Sequence, residues 1–171
     1  MNYNLLLETI GFLAIANSFF VIFWRRWRNL PPYHLPESLP SWFTPWLYIV
    51  LIVGILLPVG ALLWWGVFLG NRLVVEAIAP YLLLVGLQVL SESVTLNQLQ
   101  SCVWVTVPFV YIPYRIWQLA RGAMLLGEDS GTLWVQRLLI LEIGVWVINY
   151  LLDLSEIPRL LRWDIQEESE R

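Results

Sequence analysis

Glu76, Arg115, Arg137 and Glu142 stand inside otherwise apolar stretches of the chain. An ionisable group within a hydrocarbon core is costly, which makes each of them a functional candidate. Two carboxylates and two guanidiniums at similar depth can neutralise one another. They can also line a polar path or a pocket for an anionic ligand. Trp104, Pro108, Tyr111, Arg115 and Gln118 recur at alternating four- and three-residue spacing, which places them on one helix face. Glu142, Asn149 and Asp153 share a face of a later helix, and Arg137 lies off it. The expected pairings are therefore between helices, Glu76 with Arg115 or Glu142 with Arg115. Gln88, Ser91, Glu92 and Thr95 follow i, i+3, i+4, i+7 spacing. They form a second polar face, either the cytoplasmic lip of a cavity or the place where a span emerges into water. The alternative to a transport site is an ion-pair network that fixes helix packing, with arginines snorkelling to the interface. That structural reading is preferred, because the charges balance and no acidic relay crosses the membrane.

Several chemistries are excluded. All ten basic residues are arginine, so lysine nucleophiles and Schiff bases are absent. The only cysteine, Cys102, can form no internal disulfide and no Cys-rich metal site. The only histidine, His34, lies in a Pro-rich loop, so a bis-histidine haem and an HExxH site are absent. Gly127–Gly131 is an acidic turn without the lysine of a phosphate-binding loop. No GxGD-type aspartate motif appears, and Asp153 follows Asn149-Tyr150 without one. With a net charge of -3 and no long basic stretch, a nucleic-acid partner is not expected. No catalytic, cofactor-binding or metal-ligating set emerges, and the chain reads as non-enzymatic and without a cofactor.

The elements that hold these residues are legible from hydropathy. The chain is 58% hydrophobic, too apolar for a soluble domain of its size. Trp46 to Gly70 carries no charge at all. A hydrocarbon core of about 30 Å needs about 20 mostly apolar helical residues. The expected fold is all-α, a polytopic transmembrane helix bundle of about five spans. The spans fall near 5–24, 46–70, 73–90 (running on towards Thr95), 103–120 and 133–152. They form one membrane domain, 1–154, followed by a charged cytoplasmic tail, 155–171. Four spans with the third or fourth segment re-entrant is the alternative, since those two carry Glu76, Pro80, Gln88, Pro108 and Pro113. Asn71-Arg72 is so short a turn that the second and third helices form an antiparallel hairpin. Pro58, between Gly54 and Gly60, is expected to kink the second helix. Gly66 and Gly70 form a GxxxG match that permits close helix approach.

Orientation follows the arginines. Arg25, Arg26 and Arg28 come after the first apolar stretch, the order of a retained anchor with its N-terminus outside. Together with Arg159, Arg162 and Arg171 they outnumber Arg72 and Arg121 at the other end, which puts the C-terminus in the cytoplasm. Arg25, Arg26 and Arg28 are candidates for contact with anionic lipid or a partner, beside a stiff loop that holds Pro31, Pro32, Pro36, Pro40 and Pro45. Most of the eleven tryptophans fall near span ends and read as interfacial anchors.

Gln88…Ser91-Glu92 closing one span, then Pro108…Tyr111-Ile112-Pro113-Tyr114-Arg115…Gln118-Leu119 in the next, resembles small polytopic proteins of cyanobacterial and chloroplast membranes. The resemblance implies a membrane location, plasma or thylakoid, and no activity or site. Two functions remain expected. The first is an accessory or assembly subunit that packs against a larger membrane complex, with the lipid bilayer and other membrane subunits as partners. The second is a small transporter or channel whose path is lined by intramembrane Glu and Arg.

Overall fold

The computed structural model describes residues 4–34, 41–127 and 131–160. Five long helices run through them: α1 (Asn4–Trp27), α2 (Phe43–Phe68), α3 (Arg72–Gln98), α4 (Val107–Leu126) and α5 (Leu133–Leu160). No strand occurs among the described residues. α1, α2, α3 and most of α5 are each long and apolar enough to cross a membrane.

α2 is not a regular helix. Two π-helical turns, Ile52–Leu56 and Leu62–Phe68, flank the α-helical turn that contains Pro58. Proline has no N–H to give the carbonyl four residues earlier, here Gly54. The Tyr81 hydroxyl of α3 donates to Gly54 O instead, at 2.5 Å. The local defect at Pro58 thus becomes a tie between helices. α2 ends at Gly70, whose φ of 66° suits glycine. Asn71 caps α3, its side chain accepting from the N–H groups of Leu73 (3.1 Å) and Val74 (3.4 Å). A Cβ on Gly66 would meet Val75 at 2.9 Å. The first glycine of the GxxxG pair thus serves close packing inside the hairpin, and the second makes the turn.

α4 is the centre of the bundle. Val107, Tyr111, Ile112, Arg115, Gln118, Leu119, Gly122, Ala123 and Leu126 are all buried. It packs mainly against α5 and α3, antiparallel to both: Arg115 meets Gln88 and Trp146, whereas Gly122 meets Ala77 and Leu139. A helix shielded by its neighbours need not be apolar towards lipid. That is why α4 is a regular helix of 20 residues, about 30 Å long, although its composition alone does not mark it as a span. A turn of 3-10 helix, Cys102–Thr106, replaces the expected start at 103.

One further boundary differs. The fifth helix does not stop at 152. It runs to Leu160, where Leu160 packs on Tyr33, Cys102 and Val105. The rest of the expected tail lies outside the described residues, as do Pro36, Pro40 and most of the Gly127–Gly131 turn. Where it is described, the Pro-rich loop is tied to the bundle. Tyr33 is buried, and its N–H donates to Gln100 O at 2.7 Å.

Candidate functional site

The polar residues of the spans gather around one arginine. Arg115 is 1% exposed, in the middle of α4. Its guanidinium lies 3.9 Å above the Trp146 ring of α5, a cation–π contact in a desolvated place. Its Nη2 donates to Gln88 Oε1 of α3. Gln88 Nε2 donates onward to Glu92 Oε1 at 2.7 Å. Trp146 Nε1 donates to the Tyr81 hydroxyl at 3.0 Å. That hydroxyl has a single hydrogen, and it is committed to Gly54 O. Arg115, Gln88, Tyr81, Trp146 and Gly54 thereby join four helices.

Glu142 is fully buried beside this group, its carboxylate near Tyr81 and Arg115. Neither Glu142 oxygen makes a hydrogen bond of ordinary geometry, and neither does Arg115 Nε. Buried polar atoms are nearly always satisfied. Three orphans in one place mark this as the least relaxed part of the core.

Smaller polar clusters continue on either side. Ser91 Oγ donates to Leu87 O at 2.8 Å, so the 3.2 Å contact with Tyr111 is donated by the Tyr111 hydroxyl. Asn149 accepts from Trp46 Nε1 (2.9 Å) and donates to Asp153 (3.0 Å), tying α2 to α5. At the opposite end, Gln118 Nε2 donates to Thr9 Oγ1 at 2.8 Å, joining α4 to α1.

Of the four charges expected to act together, Arg115 and Glu142 lie in the same part of the core, with no ion pair or hydrogen bond between them. Arg137 does not join them: it is exposed, 5.4 Å over the ring of its own-helix neighbour Trp134. Glu76 is half-buried and twelve residues before Gln88 on α3, about 18 Å away along the axis. The Glu76–Arg115 pairing is therefore replaced by Arg115–Gln88. Helical side chains point back towards the N-terminus, so Arg115 reaches the Gln88 end of antiparallel α3 and not the Glu76 end. On the face Gln88, Ser91, Glu92 and Thr95, Gln88 and Ser91 hold α4 through Arg115 and Tyr111, and Glu92 steadies Gln88. Thr95 is buried and donates to Ser91 O at 2.7 Å. Arg25, Arg26 and Arg28 are exposed at the end of α1. Tyr81, Trp146 and Gly54 were not among the expected site residues. Pro58 gave a signal for Gly54, a carbonyl in need of a foreign donor, but no signal for which helix supplies it.

No group of three or more His, Cys, Asp or Glu among the described residues could hold a metal ion. The arrangement can hold one positive charge deep in the bundle, and its unpartnered carboxylate can accept a hydrogen bond. The sequence profile of a family described as a domain of unknown function (DUF7733) matches residues 7–152. The chain belongs to the DUF7733 family. The match takes in Thr9, Tyr81, Gln88, Arg115, Glu142, Trp146 and Asn149, and stops just short of Asp153. No curated protein and no solved structure matches the chain.

Proposed function

We propose that this DUF7733 membrane protein is a non-enzymatic accessory or assembly subunit that packs against a larger membrane complex. One observation carries the reading. The charged centre is sealed, and its hydrogen bonds join the chain's own helices, while the outward surface is large and apolar. Arg115 and Glu142 are 1% and 0% exposed. The groove of about 480 Å³ between α2 and α5 and that of about 220 Å³ between α1 and α3 are both mainly apolar, and neither is lined by Arg115 or Glu142. Trp64, Phe68 and Trp134 face outward, the kind of residue enriched at protein interfaces. In this reading all five helices span, with the N-terminus outside, the C-terminus cytoplasmic, and a plasma or thylakoid membrane as the host.

The test is the native mass of the tagged protein after extraction in a mild detergent. Migration within a large assembly, with defined co-purifying chains, supports the proposal. A lone monomer or small homo-oligomer at native expression level overturns it. A second reading, a small transporter, is favoured by the orphaned Glu142 oxygens, which a purely structural ion cluster does not need. Loss of solute or proton flux in a stably folded Glu142→Gln chain in vesicles would select that reading.

A further inference from the structure

On α1, Asn17, Phe20, Val21 and Trp24 line the groove of about 220 Å³ whose other wall includes Leu90 and Val94 of α3. Their i, i+3, i+4, i+7 spacing is one helix stripe. It covers about 10 Å by the helical rise, from the middle of α1 to its C-terminal end. Arg25 stands one turn beyond Val21, at the edge of this stripe, and Arg28 follows just beyond the end of the helix. Arg26 falls on the opposite side. All three arginines are exposed.

The groove is built for hydrocarbon. Ser91 and Thr95 line it, but their hydroxyl hydrogens go to Leu87 O and Ser91 O, and the Asn17 amide donates to Leu13 O at 2.8 Å. An aliphatic chain fits a surface that is mostly apolar and whose two hydroxyl hydrogens are already spent on backbone carbonyls. An anion fits the arginines that follow the groove-lining residues along α1, since a phosphate is well matched by a guanidinium.

We infer that α1 and α3 form a binding site for an anionic phospholipid, with one acyl chain in the groove and the phosphate between Arg25 and Arg28. Interfacial Trp24 and Trp27 flank that headgroup level. The site is independent of whether the protein joins a larger complex.

The experiment uses the full chain, delipidated in mild detergent. Phosphatidylglycerol, phosphatidylcholine of the same chains, and chain-free glycerol phosphate are titrated in turn, and bound lipid is read by native mass spectrometry. Phosphatidylglycerol is expected to bind one per chain and tighter than phosphatidylcholine, with glycerol phosphate failing to compete. Each arginine near an anionic headgroup is worth roughly a five-fold change in affinity. Arg25→Gln and Arg28→Gln should each weaken phosphatidylglycerol by that factor, and Arg26→Gln by less than two-fold. Val21→Trp should fill the groove and weaken both lipids. Equal loss in all three arginine variants would show a diffuse surface attraction and overturn the inference. So would equal binding of the two lipids, or competition by glycerol phosphate. All three arginines are exposed, so a matched unfolding midpoint checks that the variants remain folded.

Discussion

Replacing Arg115 by methionine tests whether the buried charge holds the bundle together. The side chain makes a charge-assisted hydrogen bond to Gln88, about 1.5–3 kcal/mol. It also stacks 3.9 Å over Trp146, about 2 kcal/mol when desolvated. The sum, about 3.5–5 kcal/mol, agrees with the ~3–5 kcal/mol lost when a buried charge arrangement loses one partner. Hydrogen bonds between membrane helices average nearer 0.6 kcal/mol, which sets a floor of about 1.5 kcal/mol with a weak cation–π term. The expected loss is therefore about 3 kcal/mol. Reversible unfolding in mixed detergent micelles, followed by tryptophan fluorescence, measures it. Glu142→Gln in the Arg115→Met background should restore about 1–3 kcal/mol, because it removes the charge left behind; the double-mutant cycle isolates that coupling. An Arg115→Met chain as stable as the parent, or a coupling below about 0.5 kcal/mol, would refute the argument that this charge is a packing element. Attention would then turn to flux.

Three other perturbations follow from the same geometry. Tyr81→Phe strips the donor from Gly54 O and the acceptor from Trp146 Nε1 and should cost about 1–3 kcal/mol in that assay, while Tyr48→Phe on the exposed face of α2 should stay within about 0.5 kcal/mol. Gly54→Ala places a Cβ 2.8 Å from the Trp146 ring and should cost about 1–3 kcal/mol; Gly60→Ala meets nothing within 4 Å and should be neutral or gain up to about 1 kcal/mol of helix propensity. For topology, single cysteines at Asn29 and Arg72 in a Cys102→Ala background should label oppositely with a membrane-impermeant maleimide, Arg72→Cys from outside and Asn29→Cys only after permeabilisation; the reverse pattern would invert the assigned orientation.

Much of the fold is written in local properties. Hydropathy over about 20 residues places α1, α2, α3 and α5 because each is long and apolar enough to cross a membrane. The connection 69–71 dictates the hairpin because three residues leave no room for anything else. Helical spacing likewise groups Tyr111, Arg115 and Gln118 on one buried face of α4. α4, the long helix that hydropathy does not mark as a span, carries the arginine at the centre of the site. Its buried Arg115 and Gln118 lower the hydropathy, and both face other helices.

The residue types, the faces and the approximate place of each apolar helix were thus determined by the sequence itself, since they depend only on a residue's near neighbours and its solvent; the extension of α5 to Leu160 was not. The partners were not. Glu76, Arg137 and Gln88 were all available to Arg115, and the choice depends on the relative height and rotation of α3, α4 and α5. Those are set jointly by contacts such as Gly122 on Ala77 and Leu139, and by the backward tilt of helical side chains. Close packing allows one such arrangement, and only in it do Gly54, Tyr81, Trp146 and Gln88 converge on a single arginine.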